Sequence, residues 1–70
     1  MDAAEIVARF GYHAPRDEET KRELDSVRDT CRDFAQFLDC FVPDCREKSL
    51  AITHLEEVMM WANAAIARAK

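Results

Sequence analysis

Glycine is almost missing from this chain, with one residue at position 11 among 70, and proline occurs only twice. A turn-rich sheet needs both residue types in numbers, so a β-rich fold is excluded and long helices are favoured. A glycine-rich loop that cradles phosphate is excluded on the same ground. No apolar run approaches the ~20 residues that a bilayer-spanning helix requires. The opening MDAAEIVARF places an acid second and offers no apolar stretch ahead of a cleavage site, so no leader is expected. Basic charge is not in excess either: 10 Lys and Arg face 14 Asp and Glu, for a net charge of −4. Acids and bases alternate, as in Arg28, Asp29, Arg32 and Asp33. Duplex binding relies on a broad basic surface that releases counterions, so DNA is not an expected partner. A small anion needs only two or three local bases and stays compatible.

The three cysteines, Cys31, Cys40 and Cys45, are an odd number. A complete disulfide framework is therefore not expected, and the chain reads as a cytosolic protein with reduced thiols. Cys40, Cys45 and His54 contain no CxxC pair and lack a fourth ligand. No metal or other cofactor is expected. A catalytic constellation of acid, base and stabiliser is also missing, which favours binding over turnover.

What is present is helical periodicity. Asp2 followed by Glu5 resembles a capping box. The short helix it opens carries Ile6, Val7 and Phe10, and Gly11 stands where a left-handed terminator is wanted. Tyr12-His13-Ala14-Pro15 then form a connector that the proline keeps from being helical. Asp17 suits an N-cap, with Glu18 and Glu19 at the positive end of the next helix. From there Leu24, Val27, Cys31, Phe34, Leu38 and Phe41 step by threes and fours as one heptad seam. Pro43 ends that helix, and Asp44 with Glu47 is expected to cap the last one.

The last helix carries two stripes. Ile52, Leu55, Met59, Ala62, Ile66 and Ala69 form one, and Ala51, Val58, Trp61 and Ala65 form another beside it. The tight turn near Val42-Pro43-Asp44 makes the two long helices antiparallel neighbours. The expected fold is thus all-α: a short N-terminal helix, then a long antiparallel helical hairpin, as a single domain over residues 1–70. A chain of this size buries roughly 60 % of its surface alone, and small chains often gain the rest by oligomerising. The second stripe, with Phe37, Cys40 and Val42, is a candidate for contacts between hairpins, so a homo-oligomer is expected.

The block REKSLAITHLEEVMMWANAAIAR, with RFGYHAP near the start, resembles a phage family: the helical-hairpin sponges used against the CBASS and Thoeris defence systems. The resemblance spans nearly the whole chain, is strongest from Pro43 to Arg68, and is matched only in pattern from Asp17 to Cys40. It implies a homo-oligomer, commonly a hexamer, that works in the host cytoplasm. It further implies sequestration of cyclic dinucleotides such as cyclic GMP-AMP, and in some members of cyclic trinucleotides, without cleavage. The CBASS effector is then never activated.

The resemblance directs attention to five residues. Tyr12, on a short loop stiffened by Pro15, would stack on a base, which is worth about 1–3 kcal/mol. Arg28 would grip a dinucleotide phosphate with its planar fork, with Lys21 and Arg22 in reserve. His13, Thr30 and Arg68 would form the trinucleotide site. Without the resemblance, Tyr12 reads as a lid on the hairpin, Arg28 as a surface partner of Asp25 or Asp29, and Arg68 as a cation at a helix C-terminus. Arg46 and Lys48 are unfavourable charges for a first helical turn, which hints at a use for them. The other function class this sequence fits is an interaction adaptor that docks through the Trp61 stripe and ignores nucleotides.

Overall fold

The computed structural model describes residues 2–12 and 14–69. It contains three helices: α1 (Ala3–Phe10), α2 (Glu18–Phe41) and α3 (Arg46–Arg68). No strand occurs among the described residues. α2 and α3 form the antiparallel hairpin, and the chain's Cα extents are 45 × 31 × 13 Å. The smallest of these is close to the width of one helix, so the hairpin is a single layer with two open faces.

The helix starts follow local chemistry. The Asp2 carboxylate accepts from the Glu5 backbone N–H at 2.8 Å, and Asp17 accepts from that of Thr20 at 2.8 Å. The Thr20 N–H and hydroxyl hold the Asp17 carboxyl below its ordinary range. Only half of the predicted box forms at α1, because the Glu5 carboxylate turns to Arg9 at 2.8 Å instead of back to the cap. Gly11 is not left-handed as predicted; its φ of −76° and ψ of 156° are extended. Space, not φ, demands glycine there, since a Cβ would lie 2.7 Å from the Val7 carbonyl oxygen.

At α3 the predicted Asp44–Glu47 cap is replaced by another arrangement. Cys45 is the N-cap and contributes no side-chain bond. Asp44 instead bonds Lys48 Nζ at 2.7 Å, and the same ammonium reaches the Asp39 carbonyl and carboxylate at 2.9 Å each. Lys48 is one of two buried polar residues among those described, the other being Thr20. Its place in a first turn is explained by the staple across the hairpin turn.

Each helix C-terminus meets a cation from another part of the chain. Lys48 reaches Asp39 O near the end of α2. Arg68 donates to the Arg9 carbonyl, at the end of α1, at 3.1 Å. The Arg16 guanidinium binds the Ile66 and Ala67 carbonyls at 3.2 and 3.4 Å and also that of Ala69, at the end of α3. Apart from Ile66, whose carbonyl also accepts from the Ala69 N–H at 3.3 Å, these carbonyls have no partner within their own helices, and the helix dipole favours a positive charge there.

The seam between α2 and α3 is narrower than the heptad reading. Leu24, Val27, Cys31, Ala35, Leu38 and Val42 are half-buried, facing Ile52, Leu55, Met59, Ala62 and Ile66. Phe34 and Phe41 were expected in the seam but are 51 and 73 % exposed, whereas Val42, expected outside it, lies within. Ala69 drops out of the α3 stripe, because the helix ends at Arg68. The cause is the helical repeat: at about 100° per residue a straight helix drifts off a seven-residue pattern by about 20° per heptad. Counted from Leu24, Phe34, Phe37 and Phe41 sit roughly 80–140° to one side of the seam. They form a row of their own, with ring centroids 6.2 Å apart for Phe34–Phe37 and 4.7 Å for Phe37–Phe41.

The same count places Ala51, Val58 and Ala65 of α3 on that face, with Trp61 at its edge. Val58 is 57 % and Trp61 71 % exposed. No hydrophobic residue among those described is buried. The hairpin therefore has a seam but no enclosed core.

Candidate ligand-binding site

Two regions can meet a ligand. One is the connector at the open end of the hairpin, where the ends of α1 and α3 come together. Tyr12 follows the glycine terminator and is 90 % exposed, so it does not pack as a lid on its own hairpin. The segment is tied down on both sides of it, by Arg68 at Arg9 and by Arg16 at the end of α3. His13 lies outside the described residues.

The other is a groove of about 380 Å³ on the face away from the phenylalanine row. Its floor is Cys31, Ala35, Ile52, Leu55 and Met59, and Arg28, Arg32, Thr53 and Glu56 form its rim. Arg28 and Arg32 are one turn apart, so both guanidiniums overhang the same apolar floor. Arg28 donates to Asp25 at 3.0 Å, and Arg32 pairs with Asp29 and Asp33 at 3.4 Å each. All these side chains are more than half exposed, so the pairs are weak and exchangeable. A phosphate can displace a carboxylate at either one, with two N–H groups aligned by the planar fork.

The remaining candidates do not converge within one protomer. Thr30 lies on the opposite flank of α2 from Arg28, in a shallow hollow with Ser26, Val27 and Cys31. Arg68 is at the open end, level with the start of α2, which leaves Thr30 about 15–18 Å further along the hairpin axis. No hydrogen bond or ion pair joins Tyr12 to Arg28, or Thr30 to Arg68. Arg68 does act as a C-terminal cation, though for α1 and not for its own helix. One donor of its fork is used there, and the others remain open to a ligand.

Two residues of these regions escaped the reading of the sequence. Arg16 was passed over, although a base between Pro15 and the Asp17 cap is placed to meet a neighbouring helix end. Arg32 was read only as part of an alternating charge pattern, although its spacing of four from Arg28 puts both on one flank. Among the described residues no group of three His, Cys, Asp or Glu side chains could hold a metal. No helix is long and apolar enough to cross a membrane.

Residues 2–67 match the family model described as Acb2/Tad1, hairpin domain. No curated protein and no solved structure matches the chain.

Proposed function

The chain belongs to the Acb2/Tad1 hairpin family of anti-CBASS and anti-Thoeris sponges, and we propose that it binds and sequesters cyclic dinucleotides, cyclic GMP-AMP among them, without cleaving them. Family membership supports a binding role in phage anti-defence. The observation that carries the finer reading is Tyr12, a 90 % exposed aromatic ring on a segment tied at both ends to the hairpin. A ring exposed to that degree gains by stacking on a base, and the fixed backbone keeps the ordering cost of binding low. Arg28 takes a phosphate, exchanging Asp25 for a phosphodiester oxygen.

The site is completed by assembly. One protomer offers an open groove and a shallow hollow, while a cyclic dinucleotide needs walls on several sides. The row of Phe34, Phe37 and Phe41, with Val58 and Trp61, is the surface that joins copies of this chain, and a hexamer is the assembly proposed. In it Thr30 and Arg68 of different copies, with His13, form a second site for cyclic trinucleotides. The protein then acts in the host cytoplasm, where it lowers the free signal below what a CBASS effector needs. It performs no catalysis.

The test is a melting experiment with cyclic di- and trinucleotides, followed by chromatography of the recovered ligand. A ligand at a hundred times its dissociation constant adds about 2.7 kcal/mol of stability, and the nucleotide returns intact. Tyr12→Ala abolishes the dinucleotide shift while leaving the assembly in place. The exposed aromatic face also fits an adaptor that docks on another protein. A chain whose melting point no cyclic nucleotide moves is that adaptor and not a sponge.

A further inference from the structure

We infer that Arg16 is a positioning residue for ligand capture, acting through the connector that carries Tyr12. The inference rests on the reading of Tyr12 as the stacking residue. Arg16 Nη1 lies 3.2 Å from the Ile66 carbonyl oxygen and 3.4 Å from that of Ala67, and it also bonds that of Ala69. Its guanidinium therefore points into the end of α3. Ile66 and Ala67 are among the last residues of α3; the Ile66 carbonyl also accepts from the Ala69 N–H at 3.3 Å, whereas the Ala67 and Ala69 carbonyls lie past the last intrahelical bonds, so the grip satisfies groups that would otherwise need water.

The consequence falls on the connector. Residue 12 is four positions before Arg16, and Pro15 removes one backbone freedom between them. At its other side Arg68 holds the Arg9 carbonyl at 3.1 Å. Both ends of the segment that presents Tyr12 are thus anchored to the last turn of the same helix. A tethered segment is ordered before the ligand arrives, whereas a free one must be ordered by it. Arg68 alone leaves the Arg16 end loose, so the two anchors are not redundant.

The experiment compares the full chain with Arg16→Ala, Arg16→Lys and Tyr12→Ala. Affinity for cyclic GMP-AMP is measured by calorimetry, backbone amide exchange over residues 11–16 by mass spectrometry, and melting point and assembly mass alongside. Arg16→Ala weakens binding about tenfold, the equivalent of ordering one more residue. It also speeds exchange over residues 11–16 and leaves the assembly mass unchanged. Arg16→Lys recovers part of the affinity, because its ammonium, like Nη1, keeps a cation at the helix end, but it lacks the planar guanidinium that seats Nη1 among the three carbonyls. The inference is overturned by Arg16→Ala binding as the parent does, or by unchanged exchange in the connector. A loss of affinity that merely follows a lowered melting point, with no recovery in Arg16→Lys, overturns it as well. If Tyr12→Ala also binds normally, the ligand-site reading itself is wrong, and the exchange data still decide whether Arg16 holds the connector.

Discussion

Replacing Phe37 by Asp is the sharpest test of the assembly. Phe37 lies at the centre of the phenylalanine row and is 53 % exposed. On a side chain of roughly 200 Å² that leaves about 100 Å² of ring facing water. Covering it with another copy yields about 2.5 kcal/mol at ~25 cal/mol per Å². Aspartate forfeits that gain and adds a carboxylate whose burial without a partner costs at least as much again. The sum, about 5 kcal/mol for each site, weakens association more than a thousandfold. Sedimentation across a hundredfold range of concentration, with circular dichroism on the same samples, reads the result. The parent runs as a multi-copy particle whose melting point rises with concentration. Phe37→Asp falls to the mass of one copy and loses helicity, since a hairpin without a buried core cannot hold itself together. Glu57→Gln, outside the apolar face, leaves the mass unchanged. A parent that melts cooperatively as one copy at every concentration refutes the reasoning, and so does an undiminished particle in Phe37→Asp.

Further outcomes follow from local geometry. Stability should fall in acid, because Asp17 and Asp44 are both held below the ordinary 3.8 in the folded state; their contribution is full above that value and disappears as pH drops through the lowered one. Lys48 is pushed above its ordinary 10.5 by bonds to Asp44 and Asp39, so its contribution is full below that value and is lost as pH rises through the raised one. Lys48→Met removes the alkaline loss and weakens the acid one in a pH series of melting curves, and an unaltered profile would show that the staple contributes nothing. Gly11→Ala places a Cβ 2.7 Å from the Val7 carbonyl oxygen; it should detach the last turn of α1, seen as faster amide exchange there, and weaken nucleotide capture through the adjoining Tyr12. The Asn63 amide oxygen is buried without a partner, a cost of about 1–3 kcal/mol; Asn63→Leu should raise the melting point, and a lowered one would mean that the oxygen is paired in the assembled protein.

Much of the fold was legible because local causes determine it. Scarce glycine and proline, the Asp2 and Asp17 caps, and the three-four spacing of apolar residues each act within one or two turns. Misreadings occurred where two elements compete for one group. Asp44 looked like a cap until Lys48 took it, and Glu5 looked like half of a box until Arg9 took it. The heptad reading of α2 failed by its own arithmetic, since small angular drifts accumulate over six turns and carry Phe34 and Phe41 onto an open face. Tyr12 was legible as a residue held on a stiff loop. Arg16 was not, because its role depends on a helix end some fifty positions away in the chain.

Sequence alone determined that this protein is helical, that two long helices pair across a short turn, and that more apolar surface exists than one hairpin can cover. Those properties come from spacing and composition, which act locally. The tertiary structure decided that a cation meets the C-terminus of each helix and that the connector bearing Tyr12 is tied down on both sides. Such facts depend on which distant segments meet, and no spacing along the chain encodes that.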